Sequence, residues 1–396
     1  MDKQNSRRWR RLGMLAVAAI APACGTAAEN GPRDAGADTV VNGPLTGLTA
    51  SVALFQGPKT VLVKDGAAVP TPSAPVIAGR PGMLRVYVTP AVEWARRNVT
   101  AELHLLAGGV ERSIPSQKLD VSVASDDGKP GSTFDFALGA ADVPPGVTLS
   151  VTLRDDAGAS MRLPSDGAAL DLHALAAMTV KLEVVPIQYN GDGSGRVSDT
   201  SAPAMKTLHD AIFGMYPTAN VELTVRAQPM ALADVLAPTG GGGGWANALA
   251  SLGATRASDA VPDDTYIIGL VDPATTFAAF CPSGCITSFG PNPPAANDVT
   301  GRVTVLVGFP ETVMASSGSA LGTAMGRRHA PCGGAANPDP VFPYTDGRSP
   351  TAGYDVVAAK FVPSGYGDLM SFCTPSWVTD YTFAGLAKRI AVVNGQ

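Results

Sequence analysis

One stretch of the sequence decides the fold of this chain. It begins with Arg302-Val-Thr-Val-Leu-Val-Gly-Phe309-Pro310 and continues to Ser319-Ala-Leu-Gly-Thr323-Ala-Met-Gly326-Arg-Arg-His329-Ala-Pro-Cys332-Gly-Gly. The apolar run at 302–309 predicts a buried strand, and Pro310 suits the first turn of a helix. Gly326 suits the position just after a helix, where the backbone turns into the left-handed region. The stretch therefore predicts a strand, a helix over residues 310–326 and a glycine turn in succession.

Further strands and helices alternate around this stretch. The pattern predicts strands at 179–187, 221–225 and 265–271, helices at 202–216 and 245–252, and a last helix that begins at Thr379-Asp380 and ends near Val393. Such alternation is typical of an α/β domain, which we assign to residues 176–396.

The preceding segment has a different pattern. Residues 46–175 contain short runs that alternate apolar and polar residues, such as Leu84-Arg-Val-Tyr-Val, and these are separated by Gly, Pro, Asp and Asn. Period-two alternation with frequent turns predicts an antiparallel, Ig-like β-sandwich. Residues 25–45 are small and polar without periodicity, which is typical of a linker. The expected fold class is thus α+β and multidomain.

Composition limits the possible functions. The 396 residues suit two folded units, because single hydrophobic cores stop growing beyond about 250–300 residues. Charged residues make up 16% and the formal net charge is −5. Nucleic-acid binding needs clustered positive charge, so we exclude a nucleic-acid partner.

The N-terminus predicts export. Lys3 and four arginines precede the apolar run Leu12 to Ala21, which is about half the length of a membrane-spanning helix. Residues 1–24 therefore form a signal peptide, and Ala21-Pro22-Ala23-Cys24 resembles a lipobox with an acylated Cys24. We expect a cell-envelope or outer-membrane lipoprotein, held to the membrane by this lipid; an ordinary cleaved signal and a secreted protein are the alternative.

The other four cysteines support this location. Cys281, Cys285, Cys332 and Cys373 are an even set, which predicts two disulfides in an oxidising compartment. Spacing alone leaves three connectivities open. A zinc site of four thiolates is a weaker alternative, because the cysteines do not form two CxxC pairs.

Two motifs resemble the metzincin-type zinc metallopeptidases. In their signature HExxHxxGxxH, two histidines on one helical turn and a third after a glycine bind Zn²⁺, while the glutamate activates water. Gly326 and His329 match the glycine and the third histidine, and Asp368-Leu-Met370-Ser-Phe-Cys373 resembles the Met-turn. The HAPCGG run that starts at His329 is similar to one family, the bacterial secreted or lipoprotein metallopeptidases. This resemblance implies a zincin-like domain at 176–396.

The resemblance fails at the catalytic positions. Ser319 and Thr323 stand at the two helical ligand positions, and Ala320 stands at the general-base position. Hydroxyl groups are poor zinc ligands at neutral pH, and a methyl group cannot accept a proton from water. His104, His173 and His209, the remaining histidines, lie outside the helix. We therefore expect that zinc binding and catalysis are lost and that no cofactor is bound.

Three functional hypotheses follow from this departure. The first is a pseudopeptidase that binds a peptide or protein ligand without cutting it. The second is an active zinc metalloendopeptidase with altered ligands, and the third is a structural or adhesive envelope protein. The resemblance also implies that Cys332 pairs with Cys373, since the glycine turn and the Met-turn lie side by side in this superfamily, and that Cys281 pairs with Cys285.

Overall fold

The computed structural model describes residues 43–116, 118–240 and 242–396, and all their side chains except those of residues 311–317. These residues belong to one compact unit of mixed α+β structure. The predicted signal peptide, Cys24 and nearly all of the predicted linker lie outside the described residues.

Two antiparallel sheets come first along the chain. Their strands are β1 (Leu48–Phe55), β2 (Lys59–Lys64), β3 (Ala67–Ala68), β4 (Gly82–Pro90), β5 (Arg97–Ala107), β6 (Val110–Pro115), β7 (Leu119–Val121), β8 (Phe134–Leu138), β9 (Thr148–Asp155), β10 (Ser160–Leu163) and β11 (Leu170–Asp171), with a 3-10 turn at Ala140–Asp142. One sheet has the order β3-β2-β1-β4-β8. The other has the order β10-β9-β5-β6, with β7 beside β5 and β11 beside β9.

The two sheets share one hydrophobic core. Buried and exposed residues alternate along β5, so that Val99, Ala101 and Leu103 face inward. They join Leu84 and Val86 of the other sheet in the same buried cluster. The period of two in the sequence therefore corresponds to one buried face per strand.

A third sheet is mainly parallel. Its strands are β12 (Thr179–Tyr189), β13 (Arg196–Val197), β14 (Asn220–Val225), β15 (Met230–Leu232), β16 (Thr265–Val271), β17 (Ser288–Phe289) and β18 (Val303–Val307). β14, β12, β16 and β18 run parallel, and β17 pairs with β18 antiparallel. Every residue of β16 and β18 is buried, as expected for parallel strands that are covered on both faces.

Helices cover both faces of this sheet. They are α1 (Ala202–Met215), α2 (Gly244–Ser258), α3 (Phe277–Phe280), α4 (Pro310–Ala324) and α5 (Asp380–Val393). α1, α4 and α5 share a buried cluster on one face, and α2 and α3 share another on the opposite face. Short strands complete the structure as two pairs, β19 (Gly353–Asp355) with β20 (Lys360–Val362) and β21 (Gly367–Asp368) with β22 (Ser376–Trp377).

A buried arginine connects the antiparallel and parallel sheets. Arg80 is fully buried, and its guanidinium donates to the carbonyl oxygen of Gln56 at 2.6 Å, just after β1. It also donates to the carbonyl oxygens of Gly214 and Thr218, each at 2.9 Å, at the end of α1. Burial lowers the pKa of Arg80 to about 9, which leaves the group protonated at neutral pH. Three carbonyls from two parts of the fold are thus held by one side chain.

The end of the chain returns to the start of the parallel sheet. The Asn394 side chain accepts a hydrogen bond from the Thr179 amide at 2.8 Å and donates to the Thr179 carbonyl at 3.0 Å. Gln396 donates to the carbonyl of Ala177 at 3.3 Å. α5 therefore closes the region that begins with β12.

The expectation of a mixed α+β protein with an antiparallel β-rich first part is confirmed. In the part of the chain that the structure describes, no helix is long and apolar enough to cross a membrane. Two disulfides, Cys281–Cys285 and Cys332–Cys373, are the pairs that the resemblance implied, and they indicate an extracytoplasmic protein.

Candidate functional site

The candidate site is built on α4. Ser319 and Thr323 are one helical turn apart, so their side chains leave the helix on the same side. The Thr323 hydroxyl donates to the Ser319 carbonyl at 3.0 Å, so its proton is bound within the helix itself. Ala320 is only 4% exposed and packs in the cluster between the helices and the sheet. The general-base position therefore holds a buried methyl group.

A tight turn follows the helix and leads to His329. Gly326 has φ +83°, and a Cβ there would overlap the Arg389 guanidinium of α5. This backbone conformation favours glycine, which explains why the helix ends here. His329 Nδ1 lies 3.2 Å from the Ala336 carbonyl, and its ring centroid is 4.9 Å from that of Phe372, edge to face.

Residues 368–373, which we call the Met370 turn, lie beneath α4. Met370 is fully buried, and a Cβ at Gly322 would overlap its Sδ atom. A Cβ at Gly318 would likewise overlap Leu369. Two glycines on one face of α4 therefore allow the close approach of the Met370 turn.

The Cys332–Cys373 disulfide joins the Met370 turn to the segment after His329. Beside it, Ala330 N donates to the Met370 carbonyl at 3.0 Å, and Phe372 N donates to the Cys332 carbonyl at 3.1 Å. Both loops are thus held together by covalent and backbone bonds, in the arrangement that the resemblance implied.

Asp368 fixes the other side of the Met370 turn. Its buried carboxylate accepts from Met370 N at 2.7 Å and from the Thr379 hydroxyl and Thr382 hydroxyl at 2.6 and 2.9 Å. Burial raises the pKa of Asp368, although these hydrogen bonds act in the opposite direction. The residue links the Met370 turn to the first turn of α5, a role that sequence reasoning missed. Its position directly before Leu369-Met370 was the available signal.

A second missed feature is the segment that follows the edge strand β17. A Cβ at Gly290 would lie 3.3 Å from the Ala320 carbonyl oxygen and 3.5 Å from Thr323 Cβ. The chain after β17 therefore runs directly beside the candidate site. No sequence pattern marks a strand as short as β17, which has two residues.

The donor set does not fit zinc. Ser319 and Thr323 offer hydroxyl oxygens, of which one is bound to the helix, and Ala320 offers none. Among the described residues, no group of three His, Cys, Asp or Glu side chains is arranged to hold a metal ion. The other three histidines lie beside carboxylates elsewhere: His104 is 3.1 Å from Glu111 of β6, His173 is 3.4 Å from Asp171 of β11, and His209 is 3.0 Å from Asp210 of α1.

Neither a protein-family model nor a curated protein matches this sequence.

Proposed function

We propose that this protein is an exported lipoprotein whose last 221 residues form a degenerate, metzincin-like metallopeptidase domain that binds a peptide or protein ligand without hydrolysing it. The observation that carries the proposal is the side-chain set on α4: a buried methyl group at Ala320 and a Thr323 hydroxyl bound to the Ser319 carbonyl. The succession of β18, α4, the Gly326 turn, His329 and the buried Met370 supports the zincin-like assignment.

The edge strand β17 offers a means of binding an extended peptide. In the described sheet β17 pairs only with β18. Val307 N donates to the Thr287 carbonyl, and Ser288 faces Leu306 in the register. In an antiparallel pair, alternate residues direct their N–H and C=O groups to opposite edges, so those of Ser288 point away from β18. A peptide strand added at this edge could form hydrogen bonds with the N–H and C=O groups of Ser288.

Zinc content tests the loss of catalysis. Wild-type protein purified without chelator should contain far less than one zinc per chain and should cleave no unfolded protein substrate. Stoichiometric zinc, or proteolysis that a chelator inhibits, would establish the alternative of an active peptidase with altered ligands.

The triple change Ser319→His, Ala320→Glu and Thr323→His tests the zincin-like assignment. It places two imidazoles one helical turn apart with a carboxylate beside the first, and His329 completes the ligand set. The variant should bind one zinc per chain, and adding His329→Ala should abolish that binding. A folded triple variant without zinc would refute the assignment.

Peptide binding is tested at β17. Ser288→Pro removes the outward N–H without removing a bond to β18, whereas the matched control Ser288→Ala changes only the side chain. Binding of a fluorescent peptide library, measured by anisotropy, should weaken at least about tenfold in the proline variant alone, the loss expected for one or two hydrogen bonds. Equal binding by both variants would show that the peptide does not bind at β17, and a wild type that binds no peptide would argue for a structural envelope role.

Membrane attachment is tested at Cys24. Wild-type protein should partition into detergent, and Cys24→Ser should not, because the acyl chain is the proposed anchor. Equal partition of the two proteins would show that Cys24 carries no lipid.

A further inference from the structure

Residues 286–296, which we call the α4 strap, run along the side of α4. The strap begins with β17, which is paired to β18, and Gly290 then lies against Ala320 and Thr323. Its far end is held by α5, because Arg389 donates to the Ala295 carbonyl at 2.8 Å. The strap is therefore attached at both ends and touches the candidate site in between.

The Cys281–Cys285 disulfide lies immediately before the α4 strap. It closes a turn of Pro282-Ser283-Gly284, and both cysteines are partly exposed. Cys281 N donates to the Phe277 carbonyl at 2.8 Å, and Ile286 N donates to the Pro238 carbonyl at 2.8 Å. These backbone bonds hold the two ends of the turn, and the disulfide connects them.

The surroundings of the Cys332–Cys373 pair are different. A Cβ at Gly347 would lie 2.8 Å from Cys332 Cβ, and one at Gly367 would lie 2.8 Å from Cys373 Cβ. The backbone bond from Phe372 N to the Cys332 carbonyl joins the same two loops. These contacts would keep the two thiols together after reduction. Each thiol would then have a high effective concentration near the other, which favours re-formation of the disulfide. In the turn closed by Cys281–Cys285, the two cysteines pack against the cluster around Trp245, and residues 282–284 between them are exposed.

We propose that Cys281–Cys285 is a redox switch that sets how firmly the first half of the α4 strap is held. A dithiol reductant attacks one sulfur and forms a mixed disulfide, and its second thiolate then displaces the protein sulfur. The reductant leaves as a disulfide, and Cys281 and Cys285 each gain a proton, so two electrons pass to the protein. Oxidation by a disulfide donor reverses the reaction.

Reduction acts on β17 through chain connectivity. Cys285 directly precedes Ile286 and lies three residues before Ser288, so opening the disulfide removes the covalent restraint next to a strand of two residues. Without the cross-link, β17 is held by hydrogen bonds from Ile286 N to the Pro238 carbonyl, from Val307 N to the Thr287 carbonyl and from the Thr304 hydroxyl to the Phe289 carbonyl. The Arg389 end of the strap does not depend on the disulfide. This switch does not require that a peptide binds at β17.

Graded reduction of the wild-type protein tests the proposal. Protein equilibrated with increasing dithiothreitol is trapped by alkylation, and the cysteines are located by peptide mass. Cys281 and Cys285 should become alkylated at a dithiothreitol concentration at least about tenfold below that needed for Cys332 and Cys373. Hydrogen exchange is measured in the same samples, and exchange at Ile286–Gly290 should accelerate at least about tenfold while that of Ala295 and Ala296 stays unchanged.

Two double variants make the result specific. Cys281→Ser with Cys285→Ser should reproduce the exchange of the reduced strap without any reductant. Cys332→Ser with Cys373→Ser, the matched control, should leave exchange at Ile286–Gly290 as in the oxidised wild type. The proposal is wrong if Cys332–Cys373 opens first or together with Cys281–Cys285, or if exchange at Ile286–Gly290 does not respond to reduction.

Discussion

At the scale of single residues, Asp368 combines burial with many hydrogen bonds. Its carboxylate is fully buried and accepts from the Met370 turn and from the first turn of α5. Burial is the larger influence and raises the pKa of Asp368 above that of an exposed aspartate. The folded protein therefore retains the proton at a pH where the unfolded chain has lost it.

Because the pKa of Asp368 is higher in the folded than in the unfolded protein, the contribution of this residue to the free energy of unfolding depends on pH. An unfolded Asp ionises near pH 3.9, so from about pH 4 upward the unfolded chain binds fewer protons at this position than the folded chain. The contribution of Asp368 to stability is thus fully present below that pH and declines as the pH rises through the folded pKa. Asp368→Asn cannot titrate.

We predict that the free energy of unfolding of the wild type, minus that of Asp368→Asn, falls as the pH rises from 4 to 7. Urea denaturation at several pH values measures this difference in the free energy of unfolding. Subtracting the two values cancels the pH dependence that comes from the carboxylates common to both proteins. A difference that increases with pH would show that the hydrogen bonds outweigh burial.

At the scale of elements, the glycines of α4 control how closely the Met370 turn approaches. Gly322→Ala should destabilise the protein by about 1–3 kcal/mol, because the added methyl overlaps Met370 Sδ. Gly253→Ala is the matched control in α2, where a Cβ meets no atom within 4 Å. It should stabilise by about 0.5–1 kcal/mol through helix propensity. Chemical denaturation distinguishes the two variants. Equal changes in their free energies of unfolding would contradict the packing of Met370 beneath α4.

The two disulfides should differ in their effect on stability. They are separated by 4 and 41 residues, and cross-linking the longer loop restricts the unfolded chain more. Replacing Cys332 and Cys373 by serine should therefore cost roughly 4 kcal/mol, against roughly 2 kcal/mol for Cys281 and Cys285. Denaturant midpoints of the two double variants check the order. A larger loss for the shorter loop would mean that native contacts, rather than chain entropy, determine the effect.

Elements with strong local signals could be predicted from the sequence. α5 begins at Asp380 after Thr379, as expected, because the Thr379 side chain accepts from Thr382 N and caps the helix. α2 continues to Ser258, six residues beyond the predicted end. Gly253 interrupts its periodicity, and the last turn is held by tertiary contacts in which Arg256 donates to the Thr265 carbonyl at 2.6 Å.

The part of the candidate site that depends on local helical spacing could also be predicted from the sequence. The positions of Ser319, Ala320 and Thr323 follow from helical spacing, which is local. The approach of Gly290 to Thr323 depends on how β17 pairs with β18, and two residues carry no period. The hydrogen bonds of Asp368 to Thr379 and Thr382 span 11 and 14 residues across a turn, and no helix or strand period indicates them.

At the scale of the whole molecule, Arg80 joins the antiparallel sheets to the parallel one. Arg80→Met should lower the free energy of unfolding by at least about 3 kcal/mol, since three carbonyl oxygens lose a buried charged donor. Arg80→Lys should recover only part of the loss, because an ammonium cannot reproduce the planar fork.

The exposed Arg328 provides the control for this prediction, and Arg328→Met should change stability by no more than about 0.5 kcal/mol. Thermal unfolding followed by calorimetry compares the three variants. A loss for Arg80→Met as small as that for Arg328→Met would mean that the contact between the sheets does not depend on this side chain.

The pairing of Asn394 with Thr179 makes the parallel-sheet region a closed segment of chain. Its first and last residues are joined by two hydrogen bonds, at 2.8 and 3.0 Å, so its entry and exit points coincide in space. Segments of this kind tolerate transplantation into a loop of another protein and circular permutation, because the host needs to supply only two neighbouring attachment points. A fusion placed after Gln396 would therefore project beside the junction at Ala177.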